Sequence, residues 1–276
     1  TIYMDGINVT STGTILTDFL TSGTVYIGAL KTDTRFHFPG IIDEPRIYNR
    51  AITTTEITDL YALGAAKINT SQNSQLTSGL VGLWSFNGAD ISGTTAYDRS
   101  TSGINGTLTN GPVPTSGRVG QAMSFDGSND YADVGTSAIL QPSTAVSVSA
   151  WVFRTGNLTD FSGIFRSPQL NNNSGYMLVG IAGSKARFYI RNTSTTWVFA
   201  QLDAALSVNT WYEITGVWDG TTVKMYLDGV LQTTTASAGS IYYGTPNQNS
   251  GIGIYATQYF PGKIDEVRVY NRARSA

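Results

Sequence analysis

The sequence predicts an all-β protein, a jelly-roll sandwich of two antiparallel sheets with one short helix. Three observations carry this. Short apolar–polar alternations recur along most of the chain, as at 146–152, where Val and Ser alternate before Trp151. Asp-Gly pairs fall between apolar runs, at Asp219-Gly220 and Asp228-Gly229, and such pairs favour hairpin turns. Apolar residues at helical spacing behind a capping Thr occur only around 53–62. Many short strands joined by glycine-rich turns make sandwiches and jelly rolls.

The chain has 276 residues, of which 41% are hydrophobic and 11% aromatic, enough to build a core. Only 13% are charged, about half the usual share, with Ser and Thr in their place. A net charge of -2 argues against a nucleic-acid partner, which requires a basic face. No apolar run approaches the ~20 residues of a membrane helix, and the scattered cations form no membrane-surface patch. Cysteine is absent, which excludes disulfides, thiolate metal sites and a cysteine nucleophile. The single histidine, His37, leaves no scope for multi-histidine metal sites and little for a Ser-His-Asp triad.

Taken in order, the chain first yields a repeat. Pro39 to Ala51 reappears as Pro261 to Ala273, differing at three of thirteen positions, and Tyr3-Met4-Asp5-Gly6 returns as Tyr226-Leu227-Asp228-Gly229. The period, about 222 residues, is that of a whole domain rather than a solenoid unit. Residues 1–66 therefore read as the C-terminal half of a preceding domain, closed by the helix at 53–62. Residues 67–78, rich in Ser, Thr, Gln and Asn, read as a linker. Residues 79–276 read as a nearly complete domain that stops where its own helix would begin. Half a jelly roll cannot cover its sheet faces or pair its edges, so residues 1–66 are expected to be completed by neighbouring copies, by a preceding half of the same domain, or by the second unit itself.

Within 79–276 the strands carry a recognisable series. Gly79-Leu80-Val81-Gly82-Leu83-Trp84-Ser85-Phe86 opens it, followed by Tyr97-Asp98-Arg99-Ser100, Gly103 and Asn105-Gly106. Then come Gly120-Gln121-Ala122-Met123-Ser124-Phe125-Asp126-Gly127 with Asp130-Tyr131, and Val148-Ser149-Ala150-Trp151-Val152. Trp211, Val217-Trp218-Asp219-Gly220, Tyr226-Leu227-Asp228-Gly229 and Gly262 to Arg272 close it. In content and order this resembles the LamG-like (laminin G-like) jelly rolls of the concanavalin A-like lectin/glucanase superfamily. The resemblance covers 79–276 and, as a half unit, residues 1–64. It implies the fold; function must come from the site, since this fold serves lectins, adhesins, spacers and glycosidases alike.

Three chemistries come into question for such a chain. Glycoside hydrolysis needs two carboxylates about 5–10 Å apart. The chain has four glutamates, Glu44, Glu56, Glu213 and Glu266, none in an E-x-D-x-x-E strand motif. Asp265 and Glu266 are neighbours in a strand and are expected on opposite faces. A non-catalytic protein is therefore expected. Calcium takes six to eight oxygens. Asp98, Ser100 and Asn105 sit in one loop, and related folds lay the opening strand beside the closing one, which carries Asp265. A structural Ca²⁺ on Asp98, Ser100, Asn105 and Asp265 is one reading; turn capping by Asp98 and pairing of Asp265 or Glu266 with an arginine is the other. Asp126, Asp130 and Asp133 read as turn formers.

Sugar sites combine a flat aromatic face with short polar groups. Trp84, Trp151, Trp211 and Trp218 lie in strands and are expected in the core. Trp197, Tyr242, Tyr243 and Tyr259 lie beside Asn- and Gln-rich loops, and Arg166 and Asn172 add polar groups. These six are the candidate carbohydrate site. The expected function is thus a non-catalytic, extracellular repeat of a large prokaryotic surface protein that binds glycans or cell-surface polymers, or mediates adhesion. The alternative is a ligand-free structural repeat of a stalk, sheath or filament.

Overall fold

In a computed structural model, the protein is described at residues 3–4, 7–8, 27, 38, 40, 42, 45–58, 76–193, 196–237 and 239–274. Two compact units divide the chain, Thr1–Gln75 and Leu76–Ala276. His37, most of the linker and most of the segment expected to be completed by a neighbour lie outside the described residues.

In the first unit, Tyr3–Met4 pairs antiparallel with Ile7–Asn8. A helix spans residues 54–58. Its start is a capping box: the Thr53 hydroxyl accepts the Glu56 N–H at 3.2 Å, and the Glu56 carboxylate accepts the Thr53 N–H at 2.8 Å. Arg50 pairs with Glu56 at 2.6 Å and anchors the chain entering the helix.

The second unit is the expected sandwich. Sheet I runs Val230–Ala236, Thr222–Leu227, Trp211–Trp218, Val146–Arg154, Pro261–Tyr270, Gln121–Asp126 and Val113–Ser116, with Leu80–Trp84 also on Pro261–Tyr270. Sheet II runs Trp197–Gln201, Lys185–Arg191, Tyr176–Ile181, Ser162–Arg166, Ser250–Ile252, Tyr131–Gly135, Gly106–Thr109, Thr95–Ala96 and Ile91–Ser92. Every pairing described in these sheets is antiparallel. The Asp228-Gly229 turn joins two of the strands with φ of +48° and +78°, the two positive angles that a tight two-residue hairpin of type I′ requires.

The core fills the space between the sheets. Val146, Val148, Ala150 and Val152 point inward from sheet I, and Tyr176, Leu178, Phe188 and Ile190 from sheet II. Gly216 of sheet I makes room for a ring of sheet II: a Cβ there would lie 2.1 Å from Phe188 Cγ. Trp84 and Trp218 are core residues, as expected. Trp151 and Trp211 are not. Alternation turns Trp151 out of the strand whose valines face inward, and its ring lies under the Arg118 guanidinium at 5.0 Å. Trp211 packs on Phe153, 5.3 Å between centroids. The opposite-face expectation for Asp265 and Glu266 also needs correction. The ladder with Val146–Arg154 slips between Ser149 and Trp151, and Glu266 sits there at φ +51°. Such a bulge breaks alternation, and both carboxylates are buried.

Candidate functional site

The face of sheet II turned away from the core is unusually rich in aromatic residues. The period of two that sends Leu178, Phe188 and Ala132 inward sends Met177, Val179, Tyr189, Tyr131 and Asp133 outward. Met177, Val179, Ile181 and Tyr189 form a second apolar cluster, covered by Phe161, Trp197, Phe199 and Tyr255. A short hairpin, Ile254–Tyr255 with Gln258–Tyr259, lies on this face. It seats directly on Gly163, where a Cβ would fall 1.9 Å from the Ile254 carbonyl carbon. Only a residue without a side chain lets the hairpin down, and the hairpin brings Tyr255 and Tyr259 to the strand that ends at Arg166.

Arg166 is the centre of the resulting patch. Its electrostatic neighbours are Asp133, Tyr255, Tyr131 and Tyr259, and burial lowers its pKa. Nη1 donates to the Asn172 side-chain oxygen over a long 3.4 Å, while Nε is enclosed without a partner. The Tyr131 and Tyr259 rings meet at 6.4 Å, tilted by 42°. The Tyr255 hydroxyl donates to the Asn172 carbonyl at 3.0 Å, and burial raises its pKa. Asn171 and Asn172 both adopt left-handed backbone, φ +51° and +54°, which asparagine tolerates better than most residues. Their N–H groups donate to the Asn247 and Gln248 side chains at 3.0 and 2.7 Å, so two loops hold the rim together. Asp133 accepts both Asn249 contacts, each at 2.8 Å, and the Gly135 N–H at 2.9 Å.

Of the six residues expected to bind sugar, the structure gathers Arg166, Asn172 and Tyr259. Trp197 lies on the same face but packs edge-on against Tyr189 at 6.1 Å and under Arg191 at 5.7 Å. Tyr243 turns inward: its hydroxyl donates to the Pro142 carbonyl at 3.0 Å and its ring meets Tyr176 edge-on. Tyr242 is exposed, with its backbone tied to Gly175 and Arg191. Tyr131, Asp133 and Tyr255 join the patch without having been expected there from the sequence, whereas Asn249 belongs to the Asn- and Gln-rich loop expected beside it. The alternation Tyr131-Ala132-Asp133-Val134 carried a signal for the first two. No local signal could have brought Tyr255 across to Asn172.

The four residues expected to hold Ca²⁺ do not fit the ion as they stand. Asp98 Oδ1 accepts the Leu83 and Ser100 N–H groups, both at 2.8 Å; Oδ2 accepts the Ser100 hydroxyl at 2.8 Å and the Ile104 N–H at 2.9 Å. Asn105 Oδ1 accepts the Asp98 N–H at 3.0 Å. These acceptors bind protein donors that a cation would have to displace. Asp265 is held elsewhere, with Oδ2 on the Arg118 and Val119 N–H groups at 2.8 and 2.9 Å. Its Oδ1 is enclosed without a partner, and burial raises its pKa to about 6. Among the described residues, no three His, Cys, Asp or Glu side chains come close enough to hold a metal. Asp126 caps a turn through the Ser128 and Asn129 N–H groups at 2.7 and 3.1 Å.

The outer face of sheet I carries a cleft of about 230 Å³, lined by Ser147, Ser149, Glu213, Thr215, Arg268 and Arg274 among others. Ser147 ties the chain end across it, donating to the Arg272 carbonyl at 2.8 Å and accepting the Arg274 N–H at 2.9 Å. Burial raises the Glu213 pKa, opposed by Arg268. Glu213 is the one carboxylate among the described lining residues, whereas glycoside hydrolysis uses two. Glu266 is instead paired with Arg268.

Two antiparallel sheets stacked on one core, with loops stitched over an aromatic outer face, define a concanavalin-type β-sandwich. The profile of the laminin G-type family of concanavalin A-like lectin/glucanases matches residues 1–58 and 126–276, and the chain belongs to that superfamily. No curated protein matches the sequence. Among solved structures, domain 4 of AbnA, an extracellular GH43 arabinanase from Geobacillus stearothermophilus solved with arabinotriose, is 19% identical. The match covers 72% of this chain and 95% of that one, with a TM-score of 0.58. The binding domain of Paraclostridial Mosquitocidal Protein 1 is 16% identical over 73% of this chain and 51% of its own, TM-score 0.58. The ligand binding domain of botulinum neurotoxin serotype D, solved with N-acetylneuraminic acid, is 17% identical over 71% and 48%, TM-score 0.53. At these identities the likeness shows the fold. No helix among the described residues is long and apolar enough to cross a membrane.

Proposed function

We propose that the chain is a non-catalytic, glycan-binding module of an extracellular, prokaryotic surface protein, and that it binds on the outer face of sheet II. The observation that carries this is the grouping of Tyr131, Tyr255 and Tyr259 around the half-buried Arg166, with Asn172, Asp133 and Asn249 at the rim. Tyrosine faces suit the C–H patches of a pyranose, and amides and carboxylates suit its hydroxyls. The structural neighbours solved with arabinotriose and with N-acetylneuraminic acid support it as relatives of the same fold. The test is a glycan array with wild type, Tyr131→Ala and Tyr259→Ala. Binding that both substitutions weaken at least tenfold, with unchanged folding by circular dichroism, supports the site. Binding unaffected by either moves it elsewhere, and absence of binding to any glycan refutes the reading.

The repeated segment at 39–51 and 261–273 favours a second reading, in which such domains are stacked as structural repeats and a neighbouring copy completes residues 1–66. Light scattering across a concentration series tests it: a strictly monomeric chain at every concentration rules out completion by a second copy.

A further inference from the structure

Arg166 is placed at a desolvation cost that its surroundings offset only in part. Ion pairs hold Arg50 to Glu56, Arg99 to Asp90, Lys224 to Asp219 and Arg268 to Glu266, and none of these includes Arg166. The acid among its electrostatic neighbours, Asp133, is held by Asn249 and the Gly135 N–H and makes no direct ion pair with it, though it keeps its charge. Burial raises the pKa of the Tyr255 phenol, so that group supplies no negative charge. Neighbouring arginines are treated differently. Arg154 donates from Nε to the Leu206 carbonyl at 2.7 Å and from Nη1 to the Gly156 carbonyl at 2.8 Å. Arg187 donates to Gln201 at 3.0 Å and to the Tyr189 hydroxyl at 2.8 Å, and lies over the Phe199 ring at 4.3 Å. Arg166 has one long contact to a neutral amide. Asp133 opposes the charge of Arg166 from a distance without a direct ion pair, burial still outweighs it, and most of the guanidinium's hydrogen-bonding capacity stays unused, which a carboxylate ligand would fill. The rings at its edge are those a sugar would stack on.

We infer that the patch selects carboxylate-bearing saccharides, with the guanidinium of Arg166 receiving the carboxylate while Tyr131 and Tyr259 support the ring. This rests on the glycan-binding reading above and narrows it to a substrate class. The guanidinium fork matches a carboxylate in geometry as well as charge, which a point charge would not.

The test uses paired probes that differ in charge: sialyllactose against lactose, and oligogalacturonate against its methyl ester, titrated calorimetrically into the full chain. Sulfated lactose is the third arm. The acidic member of each pair is expected to bind at least tenfold tighter than its neutral partner, and tighter than the sulfated probe. Arg166→Gln is expected to collapse that ratio to near one, and Arg166→Lys to restore part of it. A second measurement needs no ligand: Arg166→Met removes a guanidinium whose burial outweighs the attraction of Asp133 and its one long hydrogen bond, so the free protein should melt higher than wild type, a gain in stability at the expense of binding. Equal binding of neutral and acidic probes overturns the inference and leaves the glycan reading standing. Preference for the sulfated probe, or a ratio unmoved by Arg166→Gln, overturns carboxylate selection. A melting temperature lowered by several degrees in Arg166→Met marks the guanidinium as structural and also overturns it. No binding of any probe overturns both readings.

Discussion

Gly163→Ala tests whether the binding patch depends on the hairpin laid over sheet II. The added methyl would fall 1.9 Å from the Ile254 carbonyl carbon, 2.2 Å from the Tyr255 nitrogen and 2.4 Å from the Ile254 oxygen. Carbon atoms in contact stand about 3.5–4.0 Å apart, so the hairpin must retreat by roughly 1.5–2 Å. The obstacle is backbone, which no rotamer change can remove. Overpacking of this kind costs about 1–3 kcal/mol. In a domain of this size each kcal/mol lowers Tm by about 2–4 °C, so a drop of roughly 2–12 °C is expected. The same displacement carries Tyr255 away from Asn172 and Tyr259 away from Tyr131, so glycan affinity should fall at least tenfold. Gly106→Ala, in the same sheet, is the control: its methyl would make ordinary contacts of 3.7–3.8 Å. It should melt within about 1 °C of wild type or slightly above, since replacing glycine restricts the unfolded chain. Thermal melts by circular dichroism with calorimetric titration of a bound glycan measure both effects. If Gly163→Ala melts and binds like Gly106→Ala, the hairpin does not position the site.

Other outcomes follow from the buried carboxylates. Asp265 has its pKa raised from 3.8 to about 6. The folded state therefore holds a proton that the unfolded state has lost between about pH 4 and 6, and stability falls as pH rises through that window. The full cost, about 3 kcal/mol, is present above pH 6. Asp265→Asn should gain on wild type between pH 4 and pH 7 in urea melts; a difference independent of pH would contradict the assignment. Asp98→Asn keeps the acceptors on one oxygen but loses those for the Ser100 hydroxyl and the Ile104 N–H, so a loss of about 2–4 kcal/mol is expected. EDTA should leave the melting temperature of the wild type unchanged, and a drop of several degrees would restore Asp98 and Asp265 as calcium ligands.

Sequence made the sandwich legible because its signals are local. A valine–serine alternation fixes which residues of Val146–Arg154 face the core, and Asp228-Gly229 fixes a hairpin, without reference to the rest of the chain. Tryptophan's bulk suggests burial, but alternation along the strands puts Trp151 and Trp211 outside the core. Sites are legible only where one segment supplies them, as the loop from Asp98 to Asn105 does. The chemistry of that loop depends on whether the Asp98 carboxylate meets a cation or N–H donors, and one of those donors, Leu83, comes from fifteen residues away. The patch around Arg166 draws on 131–133, 166, 172, 249 and 255–259, segments joined only by the sheet order. Two defects in regular structure bring them together: the space at Gly163, and the left-handed pair Asn171-Asn172. Neither changes the hydrophobic pattern, so neither has a periodic signature. Both lie where the backbone departs from what core packing alone would select, which is where a binding face has to be built on a fold whose interior is already committed to holding two sheets together.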